Sequence, residues 1–269
     1  MVNEMGSTGA SPDLSGRRAP VARWVVAVAL LQALLLIGTS TRYGYHRDEL
    51  YFIAAGGHPA LGYPDQPSLV PLMAWLLNQA APGSLLVLRL MSAIASALSA
   101  VVAGLVAREI GGSARAQVIA ASCAASSAFA LAVGHFVTTT TFDLLSTSVA
   151  LWLLIRAVRR TSGPSLLAAG MVVGLGAEAK PQVAVVAVMV LLAFAVVGPR
   201  WPFRSRWLYG GIIAATLLFA PYLWWQATHG WPQLTVAANI AGSAEGGRLG
   251  FIPFQLVLVS PVLVPVWIA

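Results

Sequence analysis

The sequence contains few charged residues and a single cysteine. Only 9% of its 269 residues are Asp, Glu, Lys or Arg, whereas 58% are hydrophobic. A soluble domain carries about 25% charged residues, so this chain lacks the side chains needed to cover a water-facing surface. Cys123 has no second cysteine in the sequence, which excludes an intrachain disulfide and a multi-cysteine metal site. We therefore predict an all-α polytopic membrane protein without a large soluble catalytic domain.

Long apolar runs fill most of the chain, whose mean hydropathy is +0.79. At roughly 20 residues per spanning helix, the length allows about eight transmembrane helices. We predict them near residues 24–38, 85–107, 116–134, 142–158, 165–178, 181–197, 208–226 and 251–269. The apolar stretch at 68–80 is too short to span, and its composition favours a helix lying at the membrane interface.

The two ends of the sequence differ in character. Residues 1–20 are polar and rich in Gly, Ser and Pro, which predicts a disordered cytoplasmic tail before a transmembrane domain at 21–269. That tail is long for the n-region of a signal peptide, so we interpret the first apolar run as an uncleaved signal anchor. The sequence stops at Ala269 within an apolar run, which indicates a C-terminally truncated piece of a longer membrane protein.

The net charge of +7 comes from basic residues grouped in short loops. Such loops are topology signals and headgroup contacts with membrane lipids, so we predict no nucleic-acid partner. Placing them in the cytoplasm puts residues 41–84, 135–141 and 227–250 outside. This orientation requires two short helices between 165 and 197, broken at Ala177–Pro181, with Glu178 and Lys180 at the outer end.

Acidic residues are scarce, and most of them map to the predicted outer side. A carboxylate near the membrane is costly to desolvate, so its presence favours a binding or chemical role. Six of the nine acidic residues belong to this set: Asp48, Glu49, Asp65, Asp143, Glu178 and Glu245.

The first outer loop, 41–84, contains the densest polar motif. Asp48 and Glu49 follow His46 and Arg47 directly, and such a cluster can form an acid–base centre that deprotonates an acceptor hydroxyl. The alternative is structural: Asp48 can cap a short helix that begins at Glu49, with the aromatic residues after it in an interfacial belt. The residue types alone leave both interpretations open.

The loop resembles a known family. The run Gly-Tyr-His-Arg-Asp-Glu-Leu-Tyr-Phe at 44–52, followed by Gly-Tyr-Pro-Asp-Gln-Pro at 62–67, resembles the first outer loop of the bacterial family 39 glycosyltransferases. These are relatives of the protein O-mannosyltransferases and of the aminoarabinose transferases that modify lipid A. Stretches at 141–145, 174–181 and 221–232 also resemble that family in order and character. The family's double proline after the loop aspartate is here Pro67-Ser68.

The resemblance implies a GT-C fold with its site at the outer membrane face. It implies transfer of a hexose or pentose from a polyprenyl-phosphate carrier, with inversion, to a protein, lipid or glycan acceptor. Asp48 would be the catalytic carboxylate, Glu49 its motif partner and Asp143 a second acidic residue facing the same cavity. The resemblance covers the N-terminal half to two thirds of such a protein, so we expect part of the cavity to be missing from this chain.

A lipid-phosphate donor needs a cation near headgroup depth. Lys180 is our first candidate for a phosphate ligand, and a lysine that only snorkels to the interface is the alternative. Arg47 is a second candidate, with a headgroup contact as its simpler interpretation. We also assign His46 and Asp65 to substrate binding.

A divalent metal ion is a further hypothesis. The four histidines, at positions 46, 58, 135 and 229, show no paired ligand spacing, although they can join Asp48 or Asp143 around an ion. Uncomplexed interfacial histidines explain the pattern more simply.

Two other functions compete with a glycosyltransferase. A transporter or flippase would use Asp143, Glu178 and Lys180 as a buried ion relay. An inactive, truncated membrane subunit is the third interpretation.

Overall fold

A computed structural model describes residues 20–242 and Phe254, and this part of the chain is helical without a β-strand. The predicted tail at 1–20, apart from Pro20, and the predicted last span at 251–269, apart from Phe254, lie outside the described residues. The described helices are α1 (Arg23–Thr39), α2 (Arg47–Gly56), α3 (Leu69–Ala80), α4 (Leu85–Glu109), α5 (Ala114–Ser126), α6 (Ala128–Gly134), α7 (Thr139–Arg160), α8 (Gly163–Ala177), α9 (Gln182–Val196), α10 (Arg206–Thr228) and α11 (Pro232–Gly242).

The described helices confirm an all-α polytopic membrane protein. Three of them, α4, α7 and α10, are individually long and apolar enough to cross a bilayer. The predicted span at 116–134 is instead two helices, α5 and α6, which meet at an angle of 58° and form either a broken fourth span or a re-entrant loop. The break predicted at Ala177–Pro181 is present, because α8 ends at Ala177 and α9 begins at Gln182. The segment predicted at the interface forms the short apolar helix α3.

Small residues let the central helices approach closely. Helix α8 packs against both α10 and α7, while α4 packs against α1, α5 and α7. A Cβ atom added to Gly170 would overlap the backbone of Gly211, and one added to Gly174 would lie 2.8 Å from the Cα atom of Ala215. Contacts of this kind are how membrane helices associate when the hydrophobic effect does not drive them together.

The α2–α3 hairpin is fixed to one end of this bundle. Its buried residues Phe52, Val70 and Ala74 form one apolar cluster with Leu88 of α4 and with residues of the loops at 137 and 179. A Cβ atom on Gly56 would overlap the Pro71 carbonyl, so the two helices of the hairpin lie in backbone contact. The hairpin, the start of α7 and the α8–α9 turn therefore meet at the same end of the molecule.

The opposite end of α4 is held by an ion pair. Glu109 is buried and accepts hydrogen bonds from Nε and Nη2 of Arg160 at 2.7 and 2.8 Å. This contact joins the last turns of α4 and α7.

Candidate active site

Helix α2 begins at Arg47 because His46 caps it. The His46 ring accepts a hydrogen bond from the backbone N–H of Asp48, and the Glu49 carboxylate accepts one from the backbone N–H of His46 at 2.8 Å. This is a capping box with histidine in the position usual for serine or threonine. The His46 ring also stacks on Phe136, with 4.3 Å between ring centroids. The alternative in which Asp48 caps a helix starting at Glu49 is therefore wrong.

Asp48 lies in the first turn of α2 with its carboxylate accessible. The side chain is 37% exposed and accepts a hydrogen bond from Arg47 Nε at 3.2 Å. Arg47 itself is 90% exposed, so this ion pair contributes little. The position at a helix N-terminus stabilises the negative charge of Asp48. The helix backbone thus fixes the position of Asp48, and its carboxylate remains available to a ligand.

Glu49, the next residue, is completely buried. Its two carboxylate oxygens accept hydrogen bonds from Arg89 Nε at 2.8 Å and Nη2 at 2.7 Å, and the backbone N–H of Val137 donates at 3.1 Å. Burial by itself raises the pKa of Glu49, but the hydrogen bonds from Arg89, His46 and Val137 outweigh it and hold the pKa below its usual value. Both oxygens of the Glu49 carboxylate are thus engaged in the ion pair with Arg89 and in hydrogen bonds to the backbone.

Arg89 connects this pair to the preceding loop. Its remaining donors bind the carbonyl oxygens of Ser40 and Tyr43, and that of Gly44 at 2.7 Å. Its guanidinium carbon lies 4.2 Å from the centroid of the Tyr43 ring. Sequence reasoning missed Arg89, although a lone arginine inside an apolar run is a signal that a buried partner exists.

A cavity of about 250 Å³ opens beside Asp48. It lies where the α2–α3 hairpin, the start of α7, the α8–α9 turn and the start of α11 meet. Its lining brings together three of the predicted site residues, Asp48, Asp65 and Lys180, which are far apart in the sequence. Two glutamines that sequence reasoning did not select, Gln66 and Gln233, also line it.

Lys180 supplies the cationic wall of the cavity. It lies in the turn between α8 and α9, and its Nζ donates to Thr140 Oγ1 at 3.2 Å. Thr138 caps α7 by accepting a hydrogen bond from the backbone N–H of Thr140, so these two threonines start the helix and position the lysine. Asp143, one turn further along α7, is 9% exposed and interacts electrostatically with Lys180.

Asp65, in the loop between α2 and α3, also lines the cavity. The Tyr51 hydroxyl donates to Asp65 Oδ1 at 2.7 Å. Burial and the Asp65 carboxylate raise the pKa of Tyr51, which keeps the phenol protonated as a donor. Gln66 beside them is 6% exposed, and its Nε2 has no hydrogen-bond partner among the described residues.

The remaining predicted residues do not line the cavity, including Arg47 and also Asp143, which was expected to face it. His46 is occupied by the cap and by Phe136, and Glu178 is reached by the Ser68 hydroxyl at 3.5 Å without lining the cavity. Glu245 lies outside the described residues.

The described residues do not fit a metal centre. Within 20–242, no three His, Cys, Asp or Glu side chains lie close enough together to hold an ion. His135 instead contacts Thr39 Oγ1 at 2.6 Å, and His229 stacks on Trp225.

Comparison with known proteins identifies the family. A family model described as dolichyl-phosphate-mannose-protein mannosyltransferase matches residues 65–225, which is more than half of the chain. No curated protein and no solved structure matches the chain. The matched segment includes Asp65, Asp143 and Lys180, whereas Asp48 and Glu49 precede it. The chain therefore belongs to the dolichyl-phosphate-mannose-protein mannosyltransferase family and is a membrane glycosyltransferase of the GT-C type.

Proposed function

We propose that this protein transfers a sugar, hexose or pentose, from a polyprenyl-phosphate carrier to an acceptor hydroxyl on the outer face of the membrane, with inversion at the anomeric carbon. The acceptor is a protein, lipid or glycan. The observation that carries the proposal is the cavity in which the accessible carboxylate of Asp48 shares a lining with the cation of Lys180. Membership of a family described by a lipid-phosphate sugar donor supports the same chemistry.

Asp48 acts as the general base. Its carboxylate takes the proton of the acceptor hydroxyl while the acceptor oxygen forms a bond to the anomeric carbon. The bond between that carbon and the phosphate oxygen breaks on the opposite face, and the polyprenyl phosphate leaves with the bonding electron pair. The exposure of Asp48 and its backbone-fixed position at the start of α2 support this role.

Lys180 stabilises the leaving phosphate. Negative charge grows on the phosphate oxygens as the bond breaks, and a cation placed there in advance lowers the barrier. The contact with Thr140 supports a fixed orientation for the ammonium group. Asp143 acts through Lys180 as a positioning residue, because it interacts with the lysine without lining the cavity.

Glu49 acts as a positioning residue in this proposal. Its burial and its contacts with Arg89 and Val137 leave it no access to the cavity, so its part is to hold the first turn of α2 in place. Of the two adjacent carboxylates in the motif, Asp48 takes the proton and Glu49 holds the helix that carries Asp48.

The proposed orientation places the cavity outside the cell and the Glu109–Arg160 end of α4 in the cytoplasm. The basic loops flanking α4, α7 and α10 support it, because short cytoplasmic loops carry an excess of arginine and lysine. The donor sugar would therefore meet its acceptor on the outer face.

Transport is the second candidate function. Asp143 and Glu178 each keep one buried carboxylate oxygen without a hydrogen-bond partner in the described part of the chain. Buried carboxylates of that kind are a feature of ion pathways.

The decisive experiment measures transfer of radiolabelled mannose from polyprenyl-phosphate mannose in membranes that contain the full-length protein. We expect Asp48→Asn to lower the rate by about 10²–10⁴-fold, since general base catalysis contributes that much. Asp13→Asn makes the same chemical change in the N-terminal segment and serves as the control. Equal rates for wild type and Asp48→Asn would overturn the catalytic assignment. Movement of the sugar lipid across proteoliposomes without transfer would favour transport.

A further inference from the structure

The turn between α10 and α11 brings the start of α11 to the cavity. Helix α10 ends at Thr228, and Gly230 and Trp231 then adopt positive φ angles of 77° and 59°. The Trp231 N–H donates to the Gln226 carbonyl at 2.8 Å, and α11 starts with Pro232, a residue suited to the first helical position. Gln233 follows immediately and lines the cavity.

A directional hydrogen-bond network fixes the amide of Gln233. The backbone N–H of Gln233 can only donate, and it donates to Gln226 Oε1 at 3.1 Å. The Gln226 amide nitrogen must then be the donor to the Tyr63 carbonyl at 3.1 Å and to the Tyr222 oxygen at 2.9 Å. The Tyr222 hydroxyl in turn donates to Gln233 Oε1. Since this bond assigns Oε1 to the side that faces Tyr222, the NH₂ group of Gln233 is the donor that this lining residue can present to a ligand.

The network is rigid because its central members are buried. Tyr222 is 2% exposed and Gln226 is 1% exposed. A Cβ atom on Gly62 would lie 2.6 Å from Tyr222 Cδ2, so the loop at 62–67 packs directly on the same tyrosine. The amide of Gln233 is therefore oriented before a ligand binds, which reduces the entropy lost on binding.

The chemistry of the cavity indicates which ligand group meets this amide. Asp48 and Asp65 can only accept hydrogen bonds when ionised, and Lys180 is assigned to the phosphate. A sugar hydroxyl both donates and accepts. A hydroxyl that donates to a carboxylate therefore needs a neutral donor for its lone pairs, and the NH₂ group of Gln233 is such a donor.

We propose that Gln233 is a sugar-binding residue whose side-chain NH₂ donates to a hydroxyl oxygen of the sugar on the polyprenyl-phosphate donor. The inference rests on the proposed function and adds to it a residue that contributes to sugar specificity. A site that hydrogen-bonds a substrate hydroxyl discriminates against analogues that lack it. Gln233 lies beyond residue 225, where the match to the family model ends.

The test compares two ligands that differ only in the sugar. Binding of short-chain polyprenyl-phosphate mannose and of the same polyprenyl phosphate without sugar is measured on the purified full-length protein. Gln233→Met keeps the length of the side chain and removes the amide. We expect it to weaken binding of the mannose lipid by about 3- to 10-fold, the effect of one neutral hydrogen bond, and to leave binding of the phosphate lipid unchanged.

Two further variants accompany it. Tyr222→Phe removes the hydroxyl that orients the amide, so we expect the same sugar-selective loss with a smaller size, even if Gln233→Met folds poorly. Asn239→Ala, on the exposed surface of α11, is the matched control and should change neither affinity.

The outcomes separate the inference from a purely structural role. Equal weakening of both ligands by Gln233→Met, or no weakening of either, would overturn the proposal. In the transfer assay, the KM for the donor should rise while the KM for the acceptor stays constant, and the reverse would assign Gln233 to the acceptor. A sugar-selective loss in a protein that transfers no sugar would uphold Gln233 and reject the glycosyltransferase reaction. Absence of wild-type binding to both lipids would reject the two together.

Discussion

The two ends of α4 carry the same interaction with different consequences. At its start, Arg89 binds Glu49 through two hydrogen bonds of 2.8 and 2.7 Å, and at its end Arg160 binds Glu109 with the same pair of distances. The side chain of Arg89 is 1% exposed, whereas that of Arg160 is 31% exposed. The first arginine also binds three loop carbonyls. The Arg160–Glu109 pair joins two helices. The Arg89–Glu49 pair also joins two helices, and its arginine in addition fixes the loop that precedes Asp48.

The two ion pairs have similar geometry, and the burial of their arginines decides how much each pair matters. Removing one partner of a fully buried ion pair costs about 3–5 kcal/mol, because an uncompensated charge stays behind. Loss of Arg160 also leaves a buried carboxylate, that of Glu109, but Arg156 Nη1 lies 4.0 Å from it and still compensates its charge. The Arg89–Glu49 pair should therefore matter more than the Arg160–Glu109 pair for both stability and activity.

The largest effect is expected from Arg89→Met. It strands the Glu49 carboxylate and the loop carbonyls, so we expect a loss of about 3–5 kcal/mol in the free energy of unfolding, together with loss of transfer. Arg160→Met is the matched change at the other end, and it should destabilise less and retain most activity. Thermal unfolding in detergent and the transfer assay measure both. Equal effects of the two substitutions would contradict the comparison.

An intermediate effect is expected from acid. The folded pKa of Glu49 lies below its ordinary value of 4.5, so its ionisation stabilises the fold above pH 4.5. That stabilisation is lost as the pH falls through the folded pKa. Glu49→Gln cannot titrate, so its stability should start lower at pH 7 and decline less on acidification. Unfolding midpoints between pH 7 and pH 3 test this, and parallel curves for the two proteins would refute it.

The smallest effect is expected from Arg47→Ala. Because Arg47 is 90% exposed, its ion pair with Asp48 is worth about 0–1 kcal/mol, and stability should hardly change. Transfer should fall by less than about 5-fold, in line with that energy. The donor KM at low and high salt is the measurement. A much larger, salt-sensitive rise in KM would support Arg47 as a phosphate ligand.

Charge and hydropathy predicted the all-α membrane class but not the number of spans. The helices at the predicted spans 24–38, 165–178 and 181–197 have only 17, 15 and 15 residues, so they fall short of a full crossing by length. The break between α8 and α9 follows from the requirement that two basic loops share one side of the membrane. The bend between α5 and α6 was missed, because an apolar run at 116–134 looks the same whether its backbone is continuous or broken. The predicted outer loop at 227–250 contains α11, whose short sequence lacks a strong periodic signal.

Site residues were predictable where a family motif or a chemical requirement pointed to them. The resemblance selected Asp48, the same loop motif contains Asp65, and the need for a cation beside a lipid phosphate selected Lys180; all three line the cavity. Arg89 and Gln233 were missed because their roles depend on partners 40 or more residues away or on a helix corner, and neither is encoded in local spacing. We assigned His46 to substrate binding and did not predict that it caps α2, since histidine is an uncommon N-cap.

The hydrogen bonds of Arg89 to the loop at 40–44 also imply an order in which these parts assemble during biosynthesis. The ribosome makes Glu49 40 residues before Arg89, so the loop emerges before the residue that organises it. The loop carbonyls and the Glu49 carboxylate acquire their partner only when the start of α4 reaches the membrane. Folding of the loop that precedes Asp48 is therefore coupled to insertion of α4. In a chain whose α4 fails to insert, Asp48 is not held in the position proposed for the general base.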